Sequence, residues 1–215
     1  MQQRWKNRVL RHHLPLASVS ALCVYALYVT RPYKDPLSRL SFATAYPALA
    51  LLCLTLIIGP WFLRRGNFSP ISTDLRRDTG IWAAILGLIH TAIGQCVHLR
   101  GRPWLYYVYP TRPHGPSGLR HDLFGFSNFT GAAATLVLCL LFATSNDASL
   151  RKLGARRWKQ LQRWNYLCFL LVAAHAVGYQ TIEKQHLPFV AVLALCLLVT
   201  CVVQTAGFMR HPSRS

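Results

Sequence analysis

The sequence predicts an all-α integral membrane protein, a bundle of six transmembrane helices with both termini cytoplasmic. Of the 215 residues, 53% are hydrophobic and only 14% are charged. The mean hydropathy is positive, at +0.26. The apolar residues also gather into repeated runs of about 20 residues, the length that crosses a bilayer as a helix. A soluble domain would not repeat runs of this length, so we predict a polytopic membrane protein.

Six apolar runs define the predicted spans, at residues 14–29, 40–63, 80–99, 123–144, 164–181 and 187–208. The first run follows a basic start. It is longer than the hydrophobic region of a signal peptide and lacks a clear small-residue cleavage site, so we interpret it as a helix. The predicted organisation is a basic cytoplasmic tail at 1–13, one transmembrane domain at 14–208 and a cytoplasmic tail at 209–215.

The formal net charge of +18 is a topology signal in a chain of this class. If the N-terminus is cytoplasmic and the six helices alternate in direction, the inner segments hold about two thirds of the 24 lysines and arginines. This bias predicts a multi-pass protein of the plasma membrane, which in a bacterium is the inner membrane. The expected partner of these cations is membrane lipid, and no nucleic acid is indicated.

Two of the nine histidines lie deep inside predicted spans. His90 lies ten residues into the third span and His175 eleven residues into the fifth, so each is about 15 Å from the inner end of its helix. An ionisable side chain at that depth is costly without a partner. A matched pair of imidazoles on facing helices has the geometry that holds the iron of a b-type haem between two axial nitrogens.

Small residues accompany both histidines, and they leave room for a porphyrin beside the imidazoles. Gly87 and Gly94 lie on the His90 face of the third span, together with Ala83. Gly178 follows His175 among several alanines. Tight helix packing also uses glycine and alanine in membranes, so this pattern supports the haem interpretation only together with the paired histidines.

Two other interpretations of the histidine pair stay open. The protein could be a small transporter or channel in which His90 and His175 bind or relay a proton or a metal ion, or a structural subunit in which they form hydrogen bonds between helices. Carboxylates inside the spans would favour a transporter, but all six acids lie outside the helix centres: Asp35, Asp74, Asp78, Asp122, Asp147 and Glu183. The seven cysteines form no CxxC pair and indicate neither zinc nor a disulfide framework.

The remaining histidines and the two long links have simpler interpretations. His12, His13, His114, His121, His186 and His211 fall in tails, links or helix ends, where a solvated or interfacial histidine is expected. The outer link 100–122 is rich in proline and aromatic residues, which indicates an interfacial aromatic belt or a docking surface. The inner link before the fifth span alternates apolar residues with cations and predicts a short amphipathic helix on the inner membrane surface.

Two stretches, "LRRDTGIWAAILGLIH" and "LRKLGARRWKQLQRWNYLCFLLVAAH", resemble the ferric reductase-like transmembrane domain family. Within that family the likeness is to the haem-binding membrane subunits of periplasmic methionine sulfoxide reductase systems. The resemblance covers roughly residues 40–205. It includes the paired arginines Arg76 and Arg77 before the third-span histidine and "LFATS" at the end of the fourth span.

The resemblance implies a six-helix bundle that binds haem b and transfers electrons, with His90 and His175 at the positions of the axial ligands. It implies an electron-transfer subunit of an oxidoreductase that is not a complete enzyme alone. Electrons would come from a cytoplasmic flavin reductase or a membrane quinol, with FMN or quinone as the donor, and would pass to a redox protein outside the membrane. The methionine sulfoxide reductase subunits carry a further histidine where this chain has Gln162, so we expect one haem per chain.

The propionates of a haem require cations, and the sequence offers them at both faces of the membrane. Arg76, Arg77 and Arg163 could extend from the inner face. His98 or Arg100 could serve from the outer face. The sequence does not choose between the two sets.

Overall fold

The computed structural model describes residues 6–31, 35–64, 70–99, 102–111 and 115–210. A short π-helical turn, Val9–His13, leads into the first helix. The described chain forms seven helices: α1 Leu14–Thr30, α2 Pro36–Arg64, α3 Pro70–Val97, α4 Leu123–Thr144, α5 Asp147–Gln162, α6 Trp164–Ile182 and α7 Leu187–Arg210. Across these ranges, the β-pairing is limited to an isolated bridge between Val108 and Leu119. The all-α prediction is confirmed.

Within the described residues, five stretches of helix are long and apolar enough to cross a membrane: Lys6–Thr30, Pro36–Phe62, Asp74–Val97, Leu123–Thr144 and Leu187–Gly207. The predicted fifth span forms helix α6 but does not belong to this set. The polar residues Asn165, His175 and Gln180 lower the mean hydropathy of α6. Asn165 is buried, and His175 and Gln180 line a cavity inside the bundle. The number of spans therefore stays a prediction.

Helix α3 begins ten residues before the predicted start of the third span. The added turns carry charges that have partners in the folded chain. Arg76 donates from Nε to the carbonyl oxygen of Thr55 on α2, 3.1 Å away. Arg77 binds Asp147 through Nη1, at 2.5 Å. From their polarity alone, Arg76 and Arg77 are expected in a link before the third span. In the folded chain they are part of α3, and both have hydrogen-bond partners.

Asp78 on α3 has no exposed surface and is bound by the N-terminal turn. Arg8 pairs with both of its carboxylate oxygens. His12 Nδ1 lies 2.8 Å from Asp78 Oδ2, and His13 Nε2 lies 3.4 Å from Oδ1. His12 and His13 are therefore not simply solvated: with Arg8 they contact a buried carboxylate and fasten the N-terminal turn to α3.

The core lies where α2, α3, α4, α6 and α7 meet. Helix α2 packs most extensively on α3, and α4 packs on α6. The core is formed by Leu49, Leu52, Cys53, Leu56, Ala83, Val137, Leu141, Cys168, Phe169 and Leu193. Large apolar side chains on the opposite helix faces, such as Leu136 and Leu170, are exposed, as lipid-facing residues are.

The inner link forms the predicted helix, α5, with a break at Gly154, whose φ of 72° and ψ of 159° lie outside the helical region. Trp158 donates from its indole nitrogen to the carbonyl oxygen of Thr144, at 2.9 Å, and so ties α5 to the end of α4. The cations of α5 are exposed. Its location on the membrane surface stays a prediction.

The described part of the outer link folds back against the bundle. A short 3₁₀ helix, Pro103–Tyr106, places Tyr106 in the interior with 1% of its surface exposed. The Tyr106 ring stacks on Phe124 with centroids 5.5 Å apart. At least this aromatic residue is therefore not part of an interfacial belt, because its hydroxyl finds partners on α3.

A candidate cofactor site between two histidines

A cavity of about 250 Å³ lies between α2, α3, α4, α6 and α7. His90 on α3 and His175 on α6 both line it. Their ring centroids are 6.2 Å apart, and their planes are inclined by 74°. The structure therefore brings together the two histidines that the sequence singled out.

Each imidazole is held by a backbone carbonyl of a neighbouring helix. His90 Nδ1 lies 2.9 Å from the carbonyl oxygen of Ser41 on α2. His175 Nδ1 lies 2.7 Å from the carbonyl oxygen of Ser127 on α4. A carbonyl oxygen only accepts, so Nδ1 must donate in both residues. In the neutral imidazole the lone pair then resides on Nε2, the arrangement found in histidines that bind metals.

The spacing of the pair fits one metal ion bound by both Nε2 atoms. Two metal–imidazole bonds of about 2 Å, plus about 1.2 Å from each nitrogen to its ring centre, add up to about 6.4 Å. The observed separation of 6.2 Å agrees with this value. The described residues contain no group of three or more His, Cys, Asp or Glu side chains suited to a metal ion. Two axial donors match a metal whose remaining ligands belong to a planar macrocycle such as haem.

The predicted small residues have different locations. Gly87 and Gly94 line the cavity. A Cβ at position 87 would lie 2.8 Å from Leu138 Cδ2, whereas one at position 94 would make only an ordinary contact, 3.7 Å from Ser41 Oγ. Gly178 is not part of the cavity lining. A Cβ there would lie 2.0 Å from Ser127 Oγ, so this glycine allows α6 to approach α4 closely.

Gly131 on α4 is a site residue that the sequence analysis missed. It lines the cavity, and a Cβ at this position would lie 2.6 Å from His175 Nδ1. A side chain at position 131 would displace the His175 imidazole from its hydrogen bond with the carbonyl oxygen of Ser127. The run of small residues at 131–134 was the available signal, but it could be interpreted only once α4 was known to face His175.

The cavity has two chemically different ends. Its apolar end is lined by Leu49, Leu52, Leu138, Val172 and Leu193. Its polar end is lined by Gln95, His98, Tyr106, Tyr107, Gln180, Glu183 and Gln185. His90 and His175 lie between the two ends, because the polar-end residues of α3 and α6 all follow them along their helices.

Hydrogen bonds organise the polar end. His98 Nε2 lies 3.2 Å from Glu183 Oε1, and this contact holds the pKa of Glu183 below its ordinary value. The Tyr106 hydroxyl donates to the carbonyl oxygen of Gly94 at 2.9 Å. It also accepts from the backbone N–H of His98 at 2.8 Å. The outer link thereby closes this end of the bundle over the histidine pair.

The cations predicted at the inner face lie away from the cavity. Arg76 and Arg77 precede His90 by thirteen or more residues, about 20 Å along α3, and are bound to Thr55 and Asp147 as described above. Arg163 is exposed at the start of α6. None of these three arginines lines the cavity. Arg100 lies outside the described residues.

Comparison with known proteins gives an independent line of evidence. The profile of a family described as "Ferric reductase like transmembrane component" matches residues 44–173, a stretch that contains His90 and ends two residues before His175. The chain is 28% identical over 167 residues to the protein-methionine-sulfoxide reductase heme-binding subunit MsrQ of Yersinia pseudotuberculosis serotype O:1b (strain IP 31758), covering 77% of this chain and 75% of that protein. The MsrQ protein of Yersinia pestis (strain Pestoides F) has the same identity over 74% of its length.

Proposed function

The chain belongs to the ferric reductase-like transmembrane family, as the sequence resemblance indicated, and we propose that it is a haem b-binding electron-transfer protein of the membrane. The observation that carries this proposal is the His90–His175 pair. Both imidazoles line one cavity, each with Nδ1 on a backbone carbonyl, and the 6.2 Å between their ring centroids suits one metal ion. The relatives that cover most of this chain are named heme-binding subunits, which supports the same cofactor.

The roles of the residues follow from their contacts. His90 and His175 would supply the two axial ligands, and the carbonyls of Ser41 and Ser127 would fix their tautomer and ring orientation. When bound, haem supplies one-electron redox chemistry, while the chain supplies ligation, a low dielectric and position. With both His90 and His175 as ligands, the site would leave no position for O₂ or a substrate at the iron.

The proposed direction of electron transfer is from the cytoplasmic side to the outer side. This assignment rests on six spans with both termini cytoplasmic, including α6 as a span, and on the bias of basic residues toward the inner segments. The donor would be a cytoplasmic flavin reductase or a membrane quinol, through FMN or quinone. The acceptor would be a redox protein outside the membrane, and the names of the relatives favour a methionine sulfoxide reductase. In a bacterium the location would be the inner membrane.

We also propose one haem per chain. The position thirteen residues before His175 is Gln162, whose amide is a poor ligand for iron. Gln162 Nε2 lies 3.4 Å from Thr144 Oγ1, at the junction of α4 and α5. His98, which directly follows the last residue of α3, is bound to Glu183. Neither residue therefore completes a second pair.

The test is a reduced-minus-oxidised visible spectrum of the detergent-purified protein, combined with a pyridine-haemochrome assay. We expect the sharp bands of a six-coordinate b-type haem and close to one haem per chain. His90→Ala and His175→Ala should each remove most of the haem, while His186→Ala, at an exposed helix end, should retain it. A colourless protein from haem-sufficient cells would refute the proposal and leave the transporter and structural interpretations.

A further inference from the structure

The two ends of the cavity match the two edges of a haem. A b-type porphyrin carries two propionate carboxylates on one edge and only apolar substituents on the opposite edge. The apolar end of the cavity offers aliphatic side chains, whereas the polar end offers amides, phenols and an imidazole. Burying a carboxylate among aliphatic side chains is far more costly than placing it beside hydrogen-bond donors. The asymmetry of the lining therefore orients the cofactor.

Gln180 gives the polar end a specific hydrogen-bonding group. Its Nε2 donates to the Tyr46 hydroxyl at 2.9 Å, and its buried Oε1 has no hydrogen-bond partner. A hydroxyl can donate as well as accept, and the two amide orientations are nearly equivalent in shape. When the amide is turned over, Oε1 accepts from Tyr46 and the Nε2 donor takes the unpartnered position. Gln180 lines the cavity, so this donor is available to a carboxylate there.

Arg31 places a buried positive charge beside the same end. Its guanidinium is stacked between the rings of Phe42 and Phe189, 3.5 and 3.7 Å from their centroids, and only 5% of the residue is exposed. Arg31 also donates from Nη2 to Gln185 Oε1 at 2.5 Å. Phe42 and Gln185 both line the cavity. A charge at such a location acts through a low dielectric and is strongly felt by nearby groups.

We propose that the polar end holds the propionates, with Gln180 donating a hydrogen bond to one carboxylate and Arg31, through its pair with Gln185, supplying the buried positive charge that orients them. This inference rests on the proposed haem-binding function and replaces Arg76, Arg77 and Arg163 as the expected propionate partners. Glu183 adds a carboxylate at the same end, and His98 binds it.

The experiment compares haemin with haemin dimethyl ester, in which the propionates are neutral. Protein from haem-deficient cells is loaded in detergent with either compound, and the rate of haem loss to an excess of a haem-scavenging apoprotein is measured. With haemin, Gln180→Leu and Arg31→Gln should each accelerate the loss about tenfold, the scale of one hydrogen bond to a charged group. With the ester, the same variants should match the unsubstituted protein, because the carboxylate interaction is already absent.

Gln162→Leu and Arg163→Gln are the matched controls, because they make the same changes where α5 meets α6, outside the cavity lining. They should leave the rate of haem loss unchanged with both compounds. An ester-sensitive effect of Arg163→Gln, or equal acceleration by Gln180→Leu with both compounds, would overturn the inference. If Arg31→Gln does not fold, the difference between haemin and its ester in Gln180→Leu alone tests the inference. If the unsubstituted protein binds neither compound through His90 and His175, the proposed function itself fails.

Discussion

Two pairs of histidines in this protein, His12 with His13 and His90 with His175, have different hydrogen-bond partners. His12 and His13 surround Asp78, with ring nitrogens 2.8 and 3.4 Å from its carboxylate oxygens. His90 and His175 face a cavity, and their nearest polar partners are the backbone carbonyls of Ser41 and Ser127. The first pair lies in a structural ion cluster, whereas the second keeps one nitrogen of each ring available. The difference is whether a carboxylate or a carbonyl holds the imidazole.

A stabilising histidine and a cofactor-binding histidine differ in the group that contacts the imidazole ring. A carboxylate attracts a protonated imidazole, and a protonated ring has no lone pair to offer a metal. A carbonyl takes the Nδ1 proton and leaves the Nε2 lone pair in place. We therefore expect changes around His175 to act on haem content, and changes around Asp78 to act on stability alone.

The largest expected effect on haem content, apart from loss of a ligand, is that of Gly131→Ala. The new Cβ would lie 2.6 Å from His175 Nδ1, and the imidazole would have to leave Ser127 to make room. We expect the purified variant to lose most of its haem, as measured by pyridine haemochrome. Gly80→Ala, where the nearest atom would be Thr55 Cγ2 at 3.4 Å, is the matched control and should retain haem. Full haem occupancy in the Gly131 variant would show that the position of His175 is not essential.

Replacement of the buried carboxylate should have a large effect on stability and none on the haem spectrum. In Asp78→Asn, Arg8 and His12 lose the charge that they face, which in a buried cluster costs about 3 kcal/mol. The measurement is thermal unfolding in detergent. Asp147→Asn removes an ion pair with Arg77 in which the carboxylate is largely exposed, and it should cost less than about 1 kcal/mol. A shifted haem spectrum in folded Asp78→Asn would mean that the two regions are coupled.

A smaller effect is expected at the polar end, where His98 is bound by a carboxylate and so resembles the first pair. The folded-state pKa of Glu183 is depressed by its contact with His98. The resulting stability is therefore present above the ordinary pKa of about 4.5 and is lost as the pH falls through the lower folded-state value. Both side chains are partly exposed, so we expect less than about 1 kcal/mol.

The check is the thermal unfolding midpoint of the unsubstituted protein and of Glu183→Gln between pH 6 and pH 3. The unsubstituted protein should be slightly more stable at pH 6, and the two midpoints should converge at the acidic end. A difference that persists unchanged at pH 3 would contradict the assignment of this pH dependence to Glu183.

Much of the fold and the central pair of the site could be predicted from the sequence. Apolar runs of bilayer length indicate where helices form, and nearly equal offsets from the predicted starts of the third and fifth spans place His90 and His175 at one level. The true start of α3 could not be predicted in this way. Its first turns are polar, and they are helical because Asp78 and Arg76 find partners on other segments.

The residues that contact the site histidines and line the cavity could not be predicted from the sequence either. Ser41 and Ser127 act through their backbone carbonyls, so their side chains carry no signal. Gly131 and Gln180 matter because of which helices face each other, and Arg31 because two aromatic rings from α2 and α7 enclose it. The sequence offered propionate partners at both faces and could not choose between them, since the orientation of the cavity is a tertiary property.

The most direct test of the central claim is low-temperature EPR of the oxidised protein, because it reports on the axial ligands themselves. Ligation by both histidines predicts a low-spin ferric haem with two imidazole ligands in the unsubstituted protein. It predicts loss of that signal in both His90→Ala and His175→Ala, and its retention in His12→Ala. A high-spin signal in the unsubstituted protein, or an unchanged low-spin signal after either cavity histidine is replaced, would contradict ligation by His90 and His175.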